Sequence, residues 1–406
     1  MWLAKALVVW LATSAAVFVG AWLGSRFLPP ARGAPEDGAL VRFDGRHYRE
    51  IVSTGYSYDA SQRSTVAYFP AYPTAAWVLQ RATRLEVDMA LLVTSNAFLA
   101  GATVGLASYA RSRIATGDGQ EPEGRAVVGD RDFREATVTW TLLAFGLWPM
   151  GFFFRTAHSE STFLFFAILS LYGIRRNWPR VLVALLAGVT TATRPVGIAL
   201  CLPFMAWLWQ SEKRWCDRLA ALAVFGTLAC WGLAAYMAFQ QIAFGDALAF
   251  AKTQTHWTRL PPAFLAQKTL SLLSWEPLWA TYDPGNPAFY WKDTEPPWPI
   301  LNCRFLNPVY FGLAIGLVGL GAWRGWLDRY ETLLSAGLLI IPYVTKGYDN
   351  AMLSHGRFAA VVFPAYLVAG QLLQRLPRAL AWTLLGTSGF FLAAYAALFA
   401  AGYPFF

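Results

Sequence analysis

The chain has 406 residues, of which 56% are hydrophobic, 16% aromatic and only 14% charged, with a mean hydropathy of +0.38. That much apolar side chain cannot be hidden inside one soluble core, and the composition is that of a polytopic, all-α membrane protein. The net charge of +9 does not mark a nucleic-acid binder: the basic residues form no basic-aromatic surface, and many fall in short turns between apolar segments.

The first apolar segment, about 6 to 27, is longer than the apolar part of a secretory signal. It reads as a retained helix, although Ala31 to Ala34 supply small residues of the kind a processing site uses. A long loop, 28–86, follows and carries Phe43-Asp44-Gly45-Arg46-His47-Tyr48, Gly55-Tyr56 and Tyr68-Phe69-Pro70-Ala71-Tyr72-Pro73. A carboxylate just past a membrane helix, trailed by aromatics and a rigid proline-bearing run, points to a reaction centre at a bilayer surface rather than a pore lining.

Apolar runs then recur at about 87–108, 136–154, 160–174, 180–193, 197–209, 218–242, 305–323, 330–345, 357–373 and 379–401, giving a bundle of about eleven helices. The stretch 111–135, rich in Gly, Glu, Asp and Arg, reads as a flexible cytoplasmic loop without chemistry. The helices at 180–193 and 197–209 are split by Arg194, Pro195 and Gly197; such a break must be shielded by protein or face a polar cavity, because unsatisfied backbone is costly in lipid. A second long loop, 243–304, is dense in Trp, Tyr and Pro over 275–298, which suits the headgroup level. No internal repeat is visible.

If the eleven helices alternate, the turns holding Arg175, Arg176 and Arg180, Lys213, Arg214 and Arg218, Arg324 and Arg329, and Arg375 and Arg378 share one side, which the positive-inside rule assigns to the cytoplasm. The loops 28–86 and 243–304 and the turns 155–159 and 346–356 share the other, non-cytoplasmic side. Cys201, Cys216, Cys230 and Cys303 are scattered without metal-ligand spacing. They read as small packing groups and leave the redox compartment open.

Several polar groups need a reason to be where they are. His47, His158, His256 and His355 lie outside the helices or at their outer ends. His158 precedes Ser159 and Glu160, which either cap a helix start or contact substrate. Arg194 sits between apolar half-helices, where an unpaired guanidinium costs roughly 2.5–3.5 kcal/mol. Its partner is an internal carboxylate, the outer interface reached by snorkelling, or a lipid phosphate or pyrophosphate held through bidentate contacts; Arg357 presents the same choice. Asp44 either caps a short interfacial helix starting near Gly45 or takes the proton of an attacking hydroxyl while Arg and His groups neutralise a departing phosphate. Phosphate-loop, zinc-protease and serine-hydrolase signatures are absent. A divalent metal between Asp44 and His47 would have only two ligands from the motif, so no metal or other cofactor is expected.

Taken in order between the apolar segments, these motifs resemble the PIG-V family of membrane mannosyltransferases, within the GT-C glycosyltransferase superfamily. The carriers are Phe43 to Tyr48 with Gly55-Tyr56, the run 68–73, His158 to Ser161, Thr193 to Gly197, Phe244 to Phe250 with Gln254 and Trp257, and Gly356 to Phe358. Phe43 stands where that family commonly has Trp, and His158 where it has Tyr. The resemblance implies one GT-C-like domain over 1–406, with short interfacial helices in its outer loops and a catalytic carboxylate at Asp44. It further implies a polyprenyl- or dolichyl-phosphate mannose donor, a lipid-linked or glycan acceptor and action on the non-cytoplasmic face.

On that basis Asp44 deprotonates or orients the acceptor, and His47 and Tyr48 accompany it. Arg194, Arg357 and His355 meet the carrier phosphate; His158 and Glu160 lie near sugar or acceptor. The expected activity is inverting transfer of mannose at the outer face of a bacterial plasma membrane, or of the endoplasmic reticulum in a eukaryote. The rival readings are another polyprenyl-phosphate sugar, a transporter or flippase, and a noncatalytic scaffold.

Overall fold

The computed structural model describes residues 2–31, 38–115, 130–261, 263–290 and 298–404. Every regular element among the described residues is helical. The first helices are α1 (Trp2–Phe27), α2 (Asp44–Thr54), α3 (Ala71–Thr83), α4 (Val87–Ala115), α5 (Asp130–Gly146), α6 (Glu160–Arg175), α7 (Arg180–Thr193) and α8 (Cys201–Ser211). They are followed by α9 (Trp215–Ala221), α10 (Thr227–Ala229), α11 (Trp231–Phe244), α12 (Ala249–Lys252), α13 (Leu265–Leu273) and α14 (Glu276–Ala280). The chain closes with α15 (Cys303–Trp323), α16 (Arg329–Pro342), α17 (His355–Ala360), α18 (Pro364–Arg375) and α19 (Arg378–Ala400). The loop expected at 111–135 falls largely on 116–129, outside the described residues, and its flanks belong to α4 and α5. Residues 291–297 of the aromatic loop and 32–34 of the small-residue stretch also lie outside them.

Helix length and composition do not confirm the expected count of eleven spans. Among the described residues four helices, α1, α4, α15 and α19, are long and apolar enough to cross a membrane, and up to six spans result if each of two bent pairs counts as one. One pair joins Glu135–Gly146 to the 3₁₀ turn Pro149–Arg155 at 76°, and the other joins Trp215–Ala229 to α11 at 54°. The remaining apolar segments are helical but short. The 16 residues of α6 reach only ~24 Å against a hydrocarbon core of ~30 Å.

Packing holds the bundle tightly where small residues allow it. Gly20 and Gly24 of α1 lie one turn apart against α19, so close that a Cβ at either would overlap the carbonyl of Ala393 or Ala397. This is the small-xxx-small contact by which helices associate in lipid, where dispersion replaces the hydrophobic effect. At the bundle end where α6 and α4 finish and α16 starts, ion pairs gather. Arg113 Nε lies 2.8 Å from Glu331, Arg175 3.1 Å from Asp328, and Tyr109 donates to Glu331 at 2.7 Å. Asp328 and Glu331 also form a capping box that starts α16. Because Glu160 begins α6 and Arg175 ends it, these pairs stand a helix length away from the motif residues.

Candidate active site

The motif residues converge at the opposite end of the bundle, on one cavity of about 750 Å³. Local backbone chemistry explains how each is presented. Pro195 forces the residue before it out of the helical region, so α7 stops and Arg194 is extended at φ −158°, ψ 149°. Gly197, two residues on, packs where a Cβ would overlap the Thr190 carbonyl. Gly356 has its own close approach: its N–H donates to the Asn307 amide oxygen at 3.0 Å, which presses the start of α17 against α15 and aims Arg357 into the cavity. Phe43 adopts φ 55°, ψ −118° immediately before α2. That conformation is expensive for an aromatic residue, on the order of 1–3 kcal/mol, and Phe43 is held in it beside Phe399, with ring centroids 5.3 Å apart.

Asp44 opens α2, and both its oxygens are taken by side chains: Tyr68 donates to Oδ1 at 3.1 Å and Arg357 Nη1 to Oδ2 at 2.7 Å. The capping alternative for Asp44 is therefore not what the fold adopts, and α2 has no side-chain cap. Arg357 bridges onward, with Nε 3.0 Å from Glu160 Oε1, and the same oxygen accepts from Arg194 Nη1 at 2.7 Å. Glu160 is 1% exposed, so the internal-carboxylate alternative for Arg194 is the one seen. The result is an alternating, formally neutral chain of two carboxylates and two guanidiniums.

The histidines divide. His158 lines the cavity at 1% exposure, with Nδ1 2.8 Å from Thr156 Oγ1. Ser95 Oγ lies 3.2 Å from its backbone carbonyl and 2.9 Å from the hydroxyl of Tyr72, its single proton serving one of the two; the second proline-run tyrosine thus packs by way of Ser95 against the His158 turn. His47 stacks on Tyr68 at 4.7 Å and also lines the cavity, as does Tyr48, which packs edge-on against Tyr68 and Tyr72. His355 does not line it: the ring is fully buried between Phe311 and Phe358, and its nitrogens lie 3.2 Å from the Leu353 and Pro342 carbonyls. His256 sits beyond the cavity wall, 3.1 Å from the Ala60 carbonyl.

Electrostatics follow from this geometry. Burial raises the Asp44 carboxyl, but Arg357 and then His158 more than offset it, leaving it below the usual carboxylate range. Burial pushes His158 down to about 4, against the pull of Glu160, and pushes His47 down against Asp44 and Glu50. At neutral pH the cavity thus offers ionised carboxylates and uncharged imidazoles. Its walls carry six cations, Arg46, Arg63, Arg194, Arg259, Lys346 and Arg357, against Asp44, Glu50 and Glu160, an excess that favours an anionic occupant. Among the described residues no group of three or more His, Cys, Asp or Glu is placed to hold a metal ion.

Sequence reasoning singled out neither Tyr68 as a partner of Asp44 nor Arg63, Arg259 and Lys346 as cavity cations. Tyr68 was legible only as part of the proline run. The isolated basic residues had no local signal. Gln254 and Trp257, quoted within a motif, both line the cavity.

No protein-family model matches the chain, and no curated protein matches it. Among solved structures it is similar to the Archaeoglobus fulgidus oligosaccharyltransferase tethered with an acceptor peptide containing the NVT sequon, at 12% identity and a TM-score of 0.49, over 98% of this chain and 55% of that one. It is likewise similar to the apo form of that protein, at 12% identity and a TM-score of 0.46, over 98% of this chain and 56% of the other. The chain thus spans little more than half the length of these neighbours.

Proposed function

We propose that the protein is a GT-C-type membrane glycosyltransferase of PIG-V-like character. It moves mannose from a polyprenyl-phosphate carrier to a lipid-linked or glycan acceptor, with inversion, on the non-cytoplasmic face. The observation that carries this reading is the meeting of Asp44, Glu160, Arg194 and Arg357, from four separate segments, in one cavity with surplus positive charge.

In the proposed reaction the acceptor oxygen attacks the anomeric carbon from the side opposite the carrier. The bond from that carbon to the phosphate oxygen breaks, and its electron pair leaves with the polyprenyl phosphate. The acceptor proton passes to Asp44. Because that carboxylate is held acidic, it serves first to orient the hydroxyl and takes the proton only as the new bond makes the hydroxyl acidic. The phosphate departs into the cationic part of the cavity, where fixed charges need no reorganisation.

The test is reconstitution of the purified protein with radiolabelled polyprenyl-phosphate mannose and a mixed membrane-lipid and glycan extract, comparing wild type with Asp44→Asn. Label appearing in a new product with wild type and lost with the variant supports the reading, and mass spectrometry of that product gives the acceptor. Label left on the carrier by wild-type protein counts against mannose as the sugar. Unreacted label carried across sealed vesicles would replace the enzyme by a transporter.

A further inference from the structure

Arg194 and Arg357, the two arginines with the strongest sequence case for meeting the carrier phosphate, are already engaged. Each lies 2.7–3.0 Å from Glu160 or Asp44, and Glu160 is 1% exposed. Handing either guanidinium to a phosphate would weaken the pairing of a buried carboxylate, which is costly in a low-dielectric interior. The donor's charge needs a cation that the fold has not neutralised.

Lys346 fits that need. It lines the same cavity and is half-buried, and among the described residues its ammonium has no carboxylate within ion-pair distance. Its Nζ donates to the neutral Gln254 amide oxygen at 2.6 Å, which fixes its direction and uses one of three N–H bonds. It sits in the π turn Tyr343–Gly347 that ends α16, an irregularity that recurs at functional sites. One turn on, the Asn350 N–H donates to the Lys346 carbonyl at 3.0 Å, while the Asn350 side-chain oxygen is buried at the cavity wall without a hydrogen-bond partner. The segment after it carries left-handed backbone at Ala351, Met352 and Ser354, strain of the kind that persists where geometry is over-determined.

We propose that Lys346 receives the phosphate of the lipid-linked donor, with Asn350 beside it accepting from a sugar hydroxyl, and that Arg194 and Arg357 serve instead to hold the two carboxylates. This assignment rests on the glycosyltransferase reading above. Recognition is of a phosphate ester anion by a pre-aimed ammonium.

The experiment measures binding of a short-chain polyprenyl phosphate to the full-length protein in nanodiscs, with neutral polyprenol and inorganic phosphate as parallel probes. Variants are Lys346→Gln and Lys346→Arg, each checked for an unchanged thermal midpoint, and Arg194→Gln, checked only for being folded at the assay temperature because it loses a buried pairing to Glu160. Lys346→Gln should weaken polyprenyl phosphate about 10- to 100-fold, the scale of one charge-assisted contact, and Lys346→Arg should restore most of it. Polyprenol binding should not respond to Lys346, whereas weaker binding of inorganic phosphate should show the same dependence. Wild-type affinity in a folded Lys346→Gln protein, or a loss confined to Arg194→Gln, overturns the subsite alone. Wild-type protein that prefers polyprenyl phosphate no more than polyprenol overturns the donor reading and the subsite together.

Discussion

Asp44→Asn and Glu160→Gln, both near-isosteric, should separate reaction from architecture. Asp44 is 21% exposed at its side chain, and when its charge is removed Arg357 keeps Glu160 at 3.0 Å. Tyr68 can still donate to the amide oxygen. The stability cost is therefore that of one weakened charge-assisted bond, about 1–2 kcal/mol. Transfer, by contrast, should fall by about 10²–10⁴-fold, equivalent to ~2.7–5.4 kcal/mol of barrier. Glu160→Gln reverses the balance, since one oxygen serves Arg194 at 2.7 Å and Arg357 at 3.0 Å, and both buried guanidiniums lose their shared charge. Breaking such a pairing from one side costs about 3–5 kcal/mol. Thermal midpoints in one detergent and initial transfer rates test both halves. An Asp44→Asn protein with near-normal transfer refutes the role of Asp44, and a Glu160→Gln protein as stable as Asp44→Asn refutes the architecture assigned to Glu160.

Four further outcomes are expected. Transfer should be flat with pH across the neutral range, because Asp44 is ionised and His158, at about 4, is neutral throughout it. A rate limb near the ordinary histidine value of ~6.5 would overturn that assignment. Stability should decline as pH falls from about 6.5 towards 4, since the unfolded His158 binds protons that the folded one refuses; a pH series of thermal midpoints measures this. Tyr68→Phe keeps the ring against His47 and Tyr48 but removes the bond to Asp44, so transfer should drop about 10-fold at nearly constant thermal midpoint. Gly24→Leu would wedge α1 from the Ala397 carbonyl of α19 and should lower the midpoint by more than any exposed substitution on α1. An unchanged midpoint would show that this close contact is not maintained in the membrane.

Much of the fold was legible because hydropathy is a one-dimensional signal. Every apolar run anticipated from sequence is helical, and the break at Arg194 falls where proline chemistry puts it, although Gly197 lies inside the 3₁₀ turn Pro195–Leu200 and the α-helix expected from 197 starts at Cys201. Span number was not legible, because bending depends on packing: Gly146 and Pro149 mark a break within 136–154, but not its angle of 76°. Arg155 shows the same limit. It reads as an unremarked turn residue, yet the fold buries it to 1% and satisfies it with Thr13 at 2.6 Å, Gly151 at 2.9 Å, Ser14 at 3.2 Å and Gly146 at 3.3 Å. Cys201 and Cys230, scattered in sequence, come to 3.6 Å apart.

The cavity was legible in its four central charges, Asp44, Glu160, Arg194 and Arg357, but not in His355, which lies outside it, nor in its pairings. Arg194 meets a carboxylate 34 residues away, and Arg357 meets one 313 residues away, separations at which no spacing rule applies. Without the pairings, a buried arginine beside a membrane enzyme's carboxylate reads as a phosphate ligand. With them, the four central charges cancel and the site is stable before any donor arrives. That neutrality bears on the proposed reaction. Under the proposed reaction, an anionic donor that drew on the central arginines would expose the charge of Asp44 or Glu160, so its charge is met by the other cations that line the cavity. In that proposal Asp44 keeps both of its donors and its acidity while the donor binds, and its first task is orientation of the acceptor rather than prior deprotonation.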